Sequence, residues 1–255
     1  MPLEIRQFPC LSDNYGFLVK DVESDQVATI DTPEPDAINA VLHREGWRLT
    51  HILNTHHHFD HVGGNESLKK QWGCKVIAPA GEADKIPAID HTVGAGDIIT
   101  LGASTARVFE TPGHTLGHVV YYFDADHVAF VGDTIFALGC GRLFEGTPAQ
   151  MWASLSKIAA WPPETKLYCA HEYTQANAKF ALATDPANEA LKARSDEIDA
   201  ARARGEPTVP TSVALELATN PFLRAAAIDL QSAVGMPGAE AVDVFAEVRR
   251  RKDTF

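Results

Sequence analysis

The chain has few cysteines, and their spacing gives no sign of pairing. Its four cysteines, Cys10, Cys74, Cys140 and Cys169, are scattered over 255 residues, and none belongs to a C-x-x-C motif. Disulfide scaffolds and cysteine zinc sites are built from closely and regularly spaced cysteines. We therefore expect reduced thiols. We interpret Cys140 and Cys169, which lie near the motifs described below, as small buried hydrophobic residues.

Long apolar runs and an excess of positive charge are also lacking. No stretch approaches the roughly 18 apolar residues of a transmembrane helix, and no basic region followed by an apolar core opens the chain. Lys and Arg number 22 against 34 Asp and Glu, a formal net charge of −12. Nucleic acid is a poor partner for such a surface, because binding depends on cations that neutralise phosphates. We expect a cytoplasmic protein that binds neither membranes nor nucleic acid.

Short strands dominate the first two thirds of the chain, and helices the last third. Apolar runs bounded by turn residues predict strands at Leu3–Phe8, Tyr15–Val19, Gln26–Ile30, Ile52–Asn54, Lys75–Ala78, Asp97–Leu101, Thr105–Thr111, His118–Phe123, Val128–Gly132 and Lys166–Ala170. Helical periodicity predicts helices at Pro35–Trp47, Asn65–Trp72 (with Asn65 as cap), Ala149–Trp161, Gln175–Ala183, Ala187–Arg204, Ser212–Leu217, Pro221–Ser232 and Ala239–Arg251. We expect two layers of sheet flanked by helices, followed by a helical domain without strands after residue 173.

The segment Thr55–His61 has the sequence THHHFDH, with four histidines and one aspartate in seven residues. Imidazole and carboxylate are ligands that suit zinc, iron or manganese. His56 and His58 are two residues apart and would point about 200° away from each other on a helix. We therefore place them on a loop that leaves a strand. An irregular backbone there turns His56 and His58 to one centre, and Asp60 and His61 to a second. The alternative is a polar surface loop.

Three further candidate ligands each follow an apolar strand. They are His114 after Val108–Thr111, Asp133 after Val128–Gly132 and His171 after Leu167–Ala170. Strand ends on one rim of a layered fold are common places for sites. Taken singly, each residue could equally be a capping aspartate or a hydrogen-bonded histidine. Together with His56, His58, Asp60 and His61 of the histidine-rich loop they make five imidazoles and two carboxylates, enough for two metal ions that share one carboxylate.

These motifs resemble those of a known fold and, more closely, of one family within it. The segments THHHFDH, PGHT at 112–115, GDT at 132–134 and AHE at 170–172 resemble the metal-binding motifs of the metallo-β-lactamase fold. Further segments resemble glyoxalase II, the hydroxyacylglutathione hydrolases: FALGCGRLFEGT at 136–147, HEYT at 171–174, NPFLR at 220–224 and RRRKD at 249–253. The resemblance extends over nearly the whole chain.

The resemblance implies an α+β fold, a four-layer αββα sandwich with an all-helical C-terminal domain. Residues 1–173 would form the metal-binding catalytic domain, and residues 174–255 would contribute to glutathione binding. The implied ligand sets are His56, His58 and His114 for one ion and Asp60, His61 and His171 for the other, with Asp133 bridging the two. His57 would be structural.

The implied reaction is the hydrolysis of S-D-lactoylglutathione to D-lactate and glutathione, a step of methylglyoxal detoxification. A hydroxide bridging two divalent ions would be the nucleophile, with Asp60 and Asp133 as the catalytic carboxylates. We expect zinc, with iron or manganese as alternatives, and a monomer. A thioester suits such a site because a thiolate, with a pKa of about 8.5, leaves without strong protonation.

The resemblance also implies a set of glutathione-binding residues. Arg249 and Lys252 match the family's C-terminal basic pair, whose simpler interpretation is a basic helix end that interacts with the helix dipole. Tyr173 matches a tyrosine whose hydroxyl could bond the peptide. Arg142 stands where the family commonly has Lys. Phe144 stands where a Tyr is common, which removes a hydrogen bond of about 0.5–1.5 kcal/mol and could weaken binding or shift the thiol preference.

Two other functions remain open at this point. The first is a glutathione persulfide dioxygenase, which shares the histidine motif but uses a single iron. The second is a metal-stabilised binding protein without catalysis, although closed structural sites favour four ligands and leave no open position.

Overall fold

The structure, a computed structural model, describes residues 3–255. Backbone packing separates the chain into two compact units. The first comprises the chain up to Glu110 together with Leu116–Gly132, and the second comprises Thr111–Thr115 together with Asp133–Phe255. Each unit carries part of the predicted site.

A six-stranded sheet with order β1-β2-β3-β4-β5-β6 forms the first layer of the first unit. Its strands are β1 Leu3–Cys10, β2 Asn14–Asp21, β3 Val27–Ile30, β4 Leu49–Leu53, β5 Lys75–Pro79 and β6 His91–Val93. Strands β1 to β3 are antiparallel, and β3 to β6 are parallel. Its helices are α1 Pro35–Glu45, α2 Phe59–Val62 and α3 Asn65–Trp72. Ile38 and Leu42 of α1 and Leu68 of α3 pack with Leu18, Ile52 and Val76 of the sheet in one buried apolar cluster.

Four antiparallel strands, in the order β10-β9-β8-β7, form a second layer in the same unit. They are β7 Ile98–Leu101, β8 Ser104–Glu110, β9 Val119–Phe123 and β10 Val128–Gly132. The two layers meet through aromatic side chains, since the ring of Phe17 on β2 lies 5.6 Å from that of Phe130 on β10. Within the second layer, Phe123 packs edge-on to Phe130. The buried face of each sheet is thus turned toward the other.

The second unit is mainly helical. Its elements are β11 Ile135–Phe136, β12 Gly139–Cys140, α4 Pro148–Ala159, β13 Lys166–Cys169, α5 Thr174–Thr184, α6 Glu189–Ala203, β14 Thr211–Ser212, α7 Val213–Thr219, α8 Ile228–Ala233 and α9 Ala241–Asp253. A capping box between Thr147 and Gln150 starts α4. Phe222 packs against both Phe180 and Phe245, with ring centroids 5.9 and 6.0 Å apart, and these rings form an aromatic core among the helices.

A buried ion pair lies inside this helical unit. Arg194 donates to Glu216 at 2.5 Å, and both side chains are nearly inaccessible to solvent. The other carboxylate oxygen of Glu216 accepts the backbone N–H of Leu138 at 2.9 Å and the amide of Asn220 at 2.9 Å. Leu138 has a positive φ of 60°, which an L residue adopts only where its surroundings hold it. Glu216 therefore connects the helices to the β11–β12 hairpin.

The predicted architecture of two sheets with a helical C-terminal region is confirmed, and so is most of the element pattern. Four local predictions are wrong. Asp60 and His61 lie on the one-turn helix α2 rather than on a loop. Gly64, not Asn65, is the N-cap of α3, and the Asn65 side chain bonds Thr32 instead. The region after residue 173 contains the short strand β14. In the segment predicted as a helix at Pro221–Ser232, only α8 forms.

The strands β6, β11 and β12 were not predicted. Among residues 3–255, no helix combines the length and the apolarity needed to cross a membrane.

Candidate metal centre

The first unit brings together four predicted ligands at the end of β4. His56 and His58 lie on the loop, and Asp60 and His61 lie on α2. His56 Nε2 is 3.0 Å from His58 Nδ1, and His61 Nε2 is 3.4 Å from the nearer oxygen of Asp60. The rings of His56 and His61, both almost fully buried, have centroids 4.0 Å apart. The donor atoms thus lie close together in two pairs, His56 with His58 and His61 with Asp60, as neighbouring ligands of a metal centre do.

The buried carboxylate of Asp31 determines which ring nitrogen carries the proton in two of these histidines. It accepts hydrogen bonds from the N–H and the hydroxyl of Thr55, at 2.7 and 2.8 Å, and from His61 Nδ1 at 2.8 Å. The single hydroxyl hydrogen of Thr55 is used by Asp31, so the 3.0 Å contact with His56 Nδ1 has the histidine as donor. Both His56 and His61 therefore carry a proton on Nδ1 and present Nε2 as a ligand atom.

Two other side chains of the first unit support the ligands. The amide of Asn14 donates to Asp60 at 3.0 Å, which orients that carboxylate. The ring of His118, fully buried, stacks on His56 with centroids 4.9 Å apart. Neither residue was predicted from the sequence.

The second unit brings together the remaining three predicted ligands. Asp133 lies between two histidines: one of its oxygens is 3.4 Å from His114 Nε2, and the other is 3.5 Å from His171 Nε2. His114 Nδ1 donates to the carbonyl of Arg142 at 2.8 Å, so its proton is on Nδ1 and its Nε2 faces Asp133. All three side chains are buried. The two oxygens of Asp133 thus face two different imidazoles, as expected of a carboxylate that could be shared between two metal ions.

The donor set and its spacing fit divalent cations. Two atoms bound to one zinc ion at about 2.0–2.1 Å in tetrahedral geometry lie about 3.4 Å apart. The carboxylate–imidazole separations in the two groups are 3.4, 3.4 and 3.5 Å, longer than an N–H···O hydrogen bond of about 2.7–3.2 Å. Each group therefore has the chemistry and the spacing of adjacent ligands.

A cleft of about 330 Å³ in the second unit contains all five predicted substrate-binding residues. Its lining consists of His114, Asp133, Phe136, Cys140, Arg142, Phe144, Tyr173, Asn177, Arg249 and Lys252. The ring of Tyr173 stacks on His171 at 4.7 Å. Phe144, 60% exposed, packs edge-on to His114 at 5.3 Å and lies 5.8 Å from the guanidinium of Arg142. Metal-ligand candidates and cationic side chains thus share one cleft.

The two basic residues of α9 differ in their surroundings. Arg249 is only 6% exposed, and it donates to the carbonyl of Cys140 at 3.0 Å and to Asp253 at 2.9 Å. Lys252 reaches the carbonyl of Ala176 at 3.3 Å. Burial, and next the nearby charge of Arg249, lower the pKa of Lys252 below its usual value. Arg249 is therefore part of the cleft wall, whereas Lys252 is a partly desolvated cation beside it.

The four cysteines are free, as expected, and all four are buried, as predicted for Cys140 and Cys169. Burial raises the pKa of Cys140 to about 11 and that of Cys169 to about 12. The thiolate is the reactive form of cysteine, so neither thiol is suited to act as a nucleophile near neutral pH.

The fold and the His/Asp groups define a divalent-metal protein of the metallo-β-lactamase superfamily, whose family model matches residues 23–171. A second family model, described as the C-terminus of hydroxyacylglutathione hydrolase, matches residues 172–255. The chain belongs to the hydroxyacylglutathione hydrolase family.

Relatives in that family are similar over almost their full length. The hydroxyacylglutathione hydrolase of Maricaulis maris is 57% identical over 253 residues, 99% of each chain. That of Rhodospirillum rubrum is 52% identical over 253 residues, also 99% of each chain. The family named from the sequence motifs is thereby confirmed.

Solved structures share the fold at low identity. ETHE1 from Myxococcus xanthus is 22% identical, with a TM-score of 0.69 over 97% of this chain and 90% of its own. TTHA1623, solved in a di-iron-bound form, is 24% identical, with a TM-score of 0.64 over 86% of this chain and 100% of its own. At such identities the likeness shows the fold alone, and it confirms the predicted metallo-β-lactamase architecture.

Proposed function

We propose that this chain hydrolyses 2-hydroxyacyl thioesters of glutathione, converting S-D-lactoylglutathione to D-lactate and glutathione in the detoxification of methylglyoxal. The observation that carries the proposal is the cleft in the second unit, where two imidazoles flank Asp133 and two cations of α9 line the same wall. A thioester of an anionic tripeptide needs both features. Family membership, at 57% identity over 99% of the chain, supports the same reaction.

The ligand sets follow the family resemblance. We assign His56, His58 and His114 to one divalent ion and Asp60, His61 and His171 to a second, with Asp133 shared. When bound, such a pair lowers the pKa of water to about neutrality and so supplies hydroxide for attack on the thioester carbonyl. The chain's own contribution is orientation. Asp31 and the Arg142 carbonyl hold His56, His61 and His114 as Nδ1–H tautomers, with Nε2 available to bind metal.

The remaining cleft residues would hold the glutathione part of the substrate. Its two carboxylates need cations, and this acidic chain provides Lys252 and Arg249. Arg249 lines the cleft with its guanidinium held in place by the carbonyl of Cys140 and by Asp253. Tyr173 stands beside His171 and is 37% exposed, which leaves its ring edge accessible to a bound peptide.

Replacing Lys252 with Ala should raise KM about tenfold or more while leaving kcat nearly unchanged. The variant loses one charged hydrogen bond to the substrate, which is worth about 1.5–3 kcal/mol, and this bond is made equally in the ground and transition states. Steady-state kinetics with S-D-lactoylglutathione would measure both constants. Arg250→Ala is a matched control, because Arg250 is on the same helix but pairs with Glu247 at the surface. A fall in kcat at constant KM would show that Lys252 does not act as a binding cation.

A direct assay tests the proposed reaction itself. Purified protein should release a free thiol from S-D-lactoylglutathione, lose this activity when a chelator removes its metal, and recover it on reconstitution. Elemental analysis of the same sample should find two ions per chain. One iron per chain together with oxygen uptake on glutathione persulfide would instead support the dioxygenase. That alternative is not favoured, since the likeness to ETHE1 is only 22% identity.

The proposal also includes zinc as the metal, with iron or manganese as alternatives, and a cytoplasmic monomer with residues 1–173 and 174–255 as its two domains. Imidazole and carboxylate admit all three metals, so metal availability decides between them. Light scattering on the metal-loaded protein would measure its mass against the 27.6 kDa of one chain.

A further inference from the structure

We propose that Glu82 is a positioning residue that holds the ligand loop in its metal-binding shape before any metal is bound. This inference rests on the proposed metal centre, and it concerns a side chain that neither the sequence motifs nor the ligand sets include. Glu82 lies in the 3-10 turn Ala80–Lys85 that follows β5. It is 25 residues after His57, the loop residue that it contacts.

The contacts of Glu82 join two segments of the first unit. One carboxylate oxygen accepts the backbone N–H of His57 at 2.7 Å and the ring Nδ1–H of the same residue at 2.8 Å. The other oxygen accepts the backbone N–H of Gly117 at 2.9 Å. Glu82 is only 3% exposed, so these hydrogen bonds are shielded from competition with water.

The hydrogen bonds from His57 to Glu82 bear on the metal ligands because of where His57 lies. His57 stands between His56 and His58, so anchoring its backbone restricts the dihedral angles that aim both neighbouring rings. Gly117 stands next to His118, whose ring stacks on His56. Glu82 thus restrains His56 in two ways. It holds the backbone of the next residue, His57, and it holds Gly117, which is next to the stacked His118.

The local sequence accommodates this arrangement. A Cβ atom at Gly117 would lie 2.5 Å from the Cγ atom of Glu82 and 2.9 Å from the backbone of Gly81, so only glycine allows the close approach. A carboxylate is also needed, because all three donors are N–H groups and both oxygens must accept. An amide at this position would turn its NH₂ group toward one of those donors.

The proposal explains His57, the one histidine of the loop outside the ligand sets. Its ring donates to Glu82 and adds to the anchor, but the backbone contact does not depend on that ring. Two variants therefore separate the roles. Glu82→Gln replaces one of the two accepting oxygens with an NH₂ group and so loses at least one backbone hydrogen bond of the anchor. His57→Ala keeps both backbone hydrogen bonds and loses only the ring.

The test is a zinc titration against a competing chelator, with circular dichroism melting of the metal-free proteins. Glu82→Gln should weaken zinc binding on the order of tenfold or more, the size found when a residue behind a metal ligand is lost. His57→Ala should weaken it less. Glu66→Gln, an exposed carboxylate on α3, should bind zinc like the wild type. Wild-type affinity in Glu82→Gln would overturn the proposal, and wild-type protein that binds no metal would instead overturn the proposed function.

A second measurement needs no variant and so does not depend on whether Glu82→Gln folds. In metal-free wild-type protein, the backbone amide of His57 should exchange with deuterium much more slowly than the amide of an exposed loop. Exchange as fast as in an exposed loop would show that the loop is not held in advance.

Discussion

Replacing Asp133 with Asn should lower kcat by about 1,000-fold or more and reduce the metal content below that of the wild type. Loss of a residue that only supports a ligand costs about 10–100-fold, and a ligand itself should cost more. The two oxygens of Asp133 also face different imidazoles, those of His114 and His171. An amide keeps the shape but has only one oxygen and no negative charge, and its NH₂ group cannot act as a metal ligand on the other side.

Kinetics with S-D-lactoylglutathione and elemental analysis of the same preparation would measure the two effects together. Asp196→Asn, an exposed carboxylate on α6, is the control for the loss of one negative charge. Full activity of Asp133→Asn with both ions retained would contradict the shared-ligand role.

Replacing Glu216 with Gln should reduce the free energy of unfolding by about 3–5 kcal/mol, the cost of breaking a buried ion pair from one side. The change leaves the guanidinium of Arg194, 5% exposed, without a countercharge. It also places an NH₂ group where a carboxylate oxygen accepted hydrogen bonds from the N–H of Leu138 and the side-chain amide of Asn220. Urea denaturation followed by circular dichroism would measure the loss.

Two variants show whether the cost comes from the uncompensated charge. The double variant Arg194→Met with Glu216→Leu replaces the ion pair by apolar side chains and should recover much of the stability. Glu189→Gln breaks an exposed pair with Lys192 on the same helix and should change stability by less than about 1 kcal/mol. A loss in Glu216→Gln no larger than in Glu189→Gln would mean that the buried pair is not a stabilising element.

Most of the fold could be predicted because the apolar strands and amphipathic helices are locally encoded. The strand Val128–Gly132 and the helix Asn65–Trp72 have the predicted bounds, since turn residues delimit both. The prediction of a long helix at Pro221–Ser232 failed for a tertiary reason. The side chain of Asn220 accepts the N–H of Phe222 and donates to the carbonyl of Gly139, and this holds a turn where composition alone favours a helix.

The site residues could likewise be predicted only where the signal is local in the sequence. A polar residue directly after an apolar strand was the signal for His114, Asp133 and His171, and Asp31 follows β3 in the same way. That signal could have found Asp31, because it is a carboxylate at the end of a buried strand. Glu82 could not be found from the sequence, since its partners are backbone N–H groups 25 and 35 residues away that have no sequence signature.

The bond from the Leu138 amide to Glu216 has a consequence for truncation. A fragment that stops at residue 173 would keep all seven proposed ligands, yet it would lack the carboxylate that holds Leu138 and the guanidinium that holds the carbonyl of Cys140. The hairpin between Asp133 and Arg142 would lose both anchors at once. The helical third of the chain therefore holds the segment that directly follows the proposed ligand Asp133, and we expect that it cannot be exchanged as an independent module.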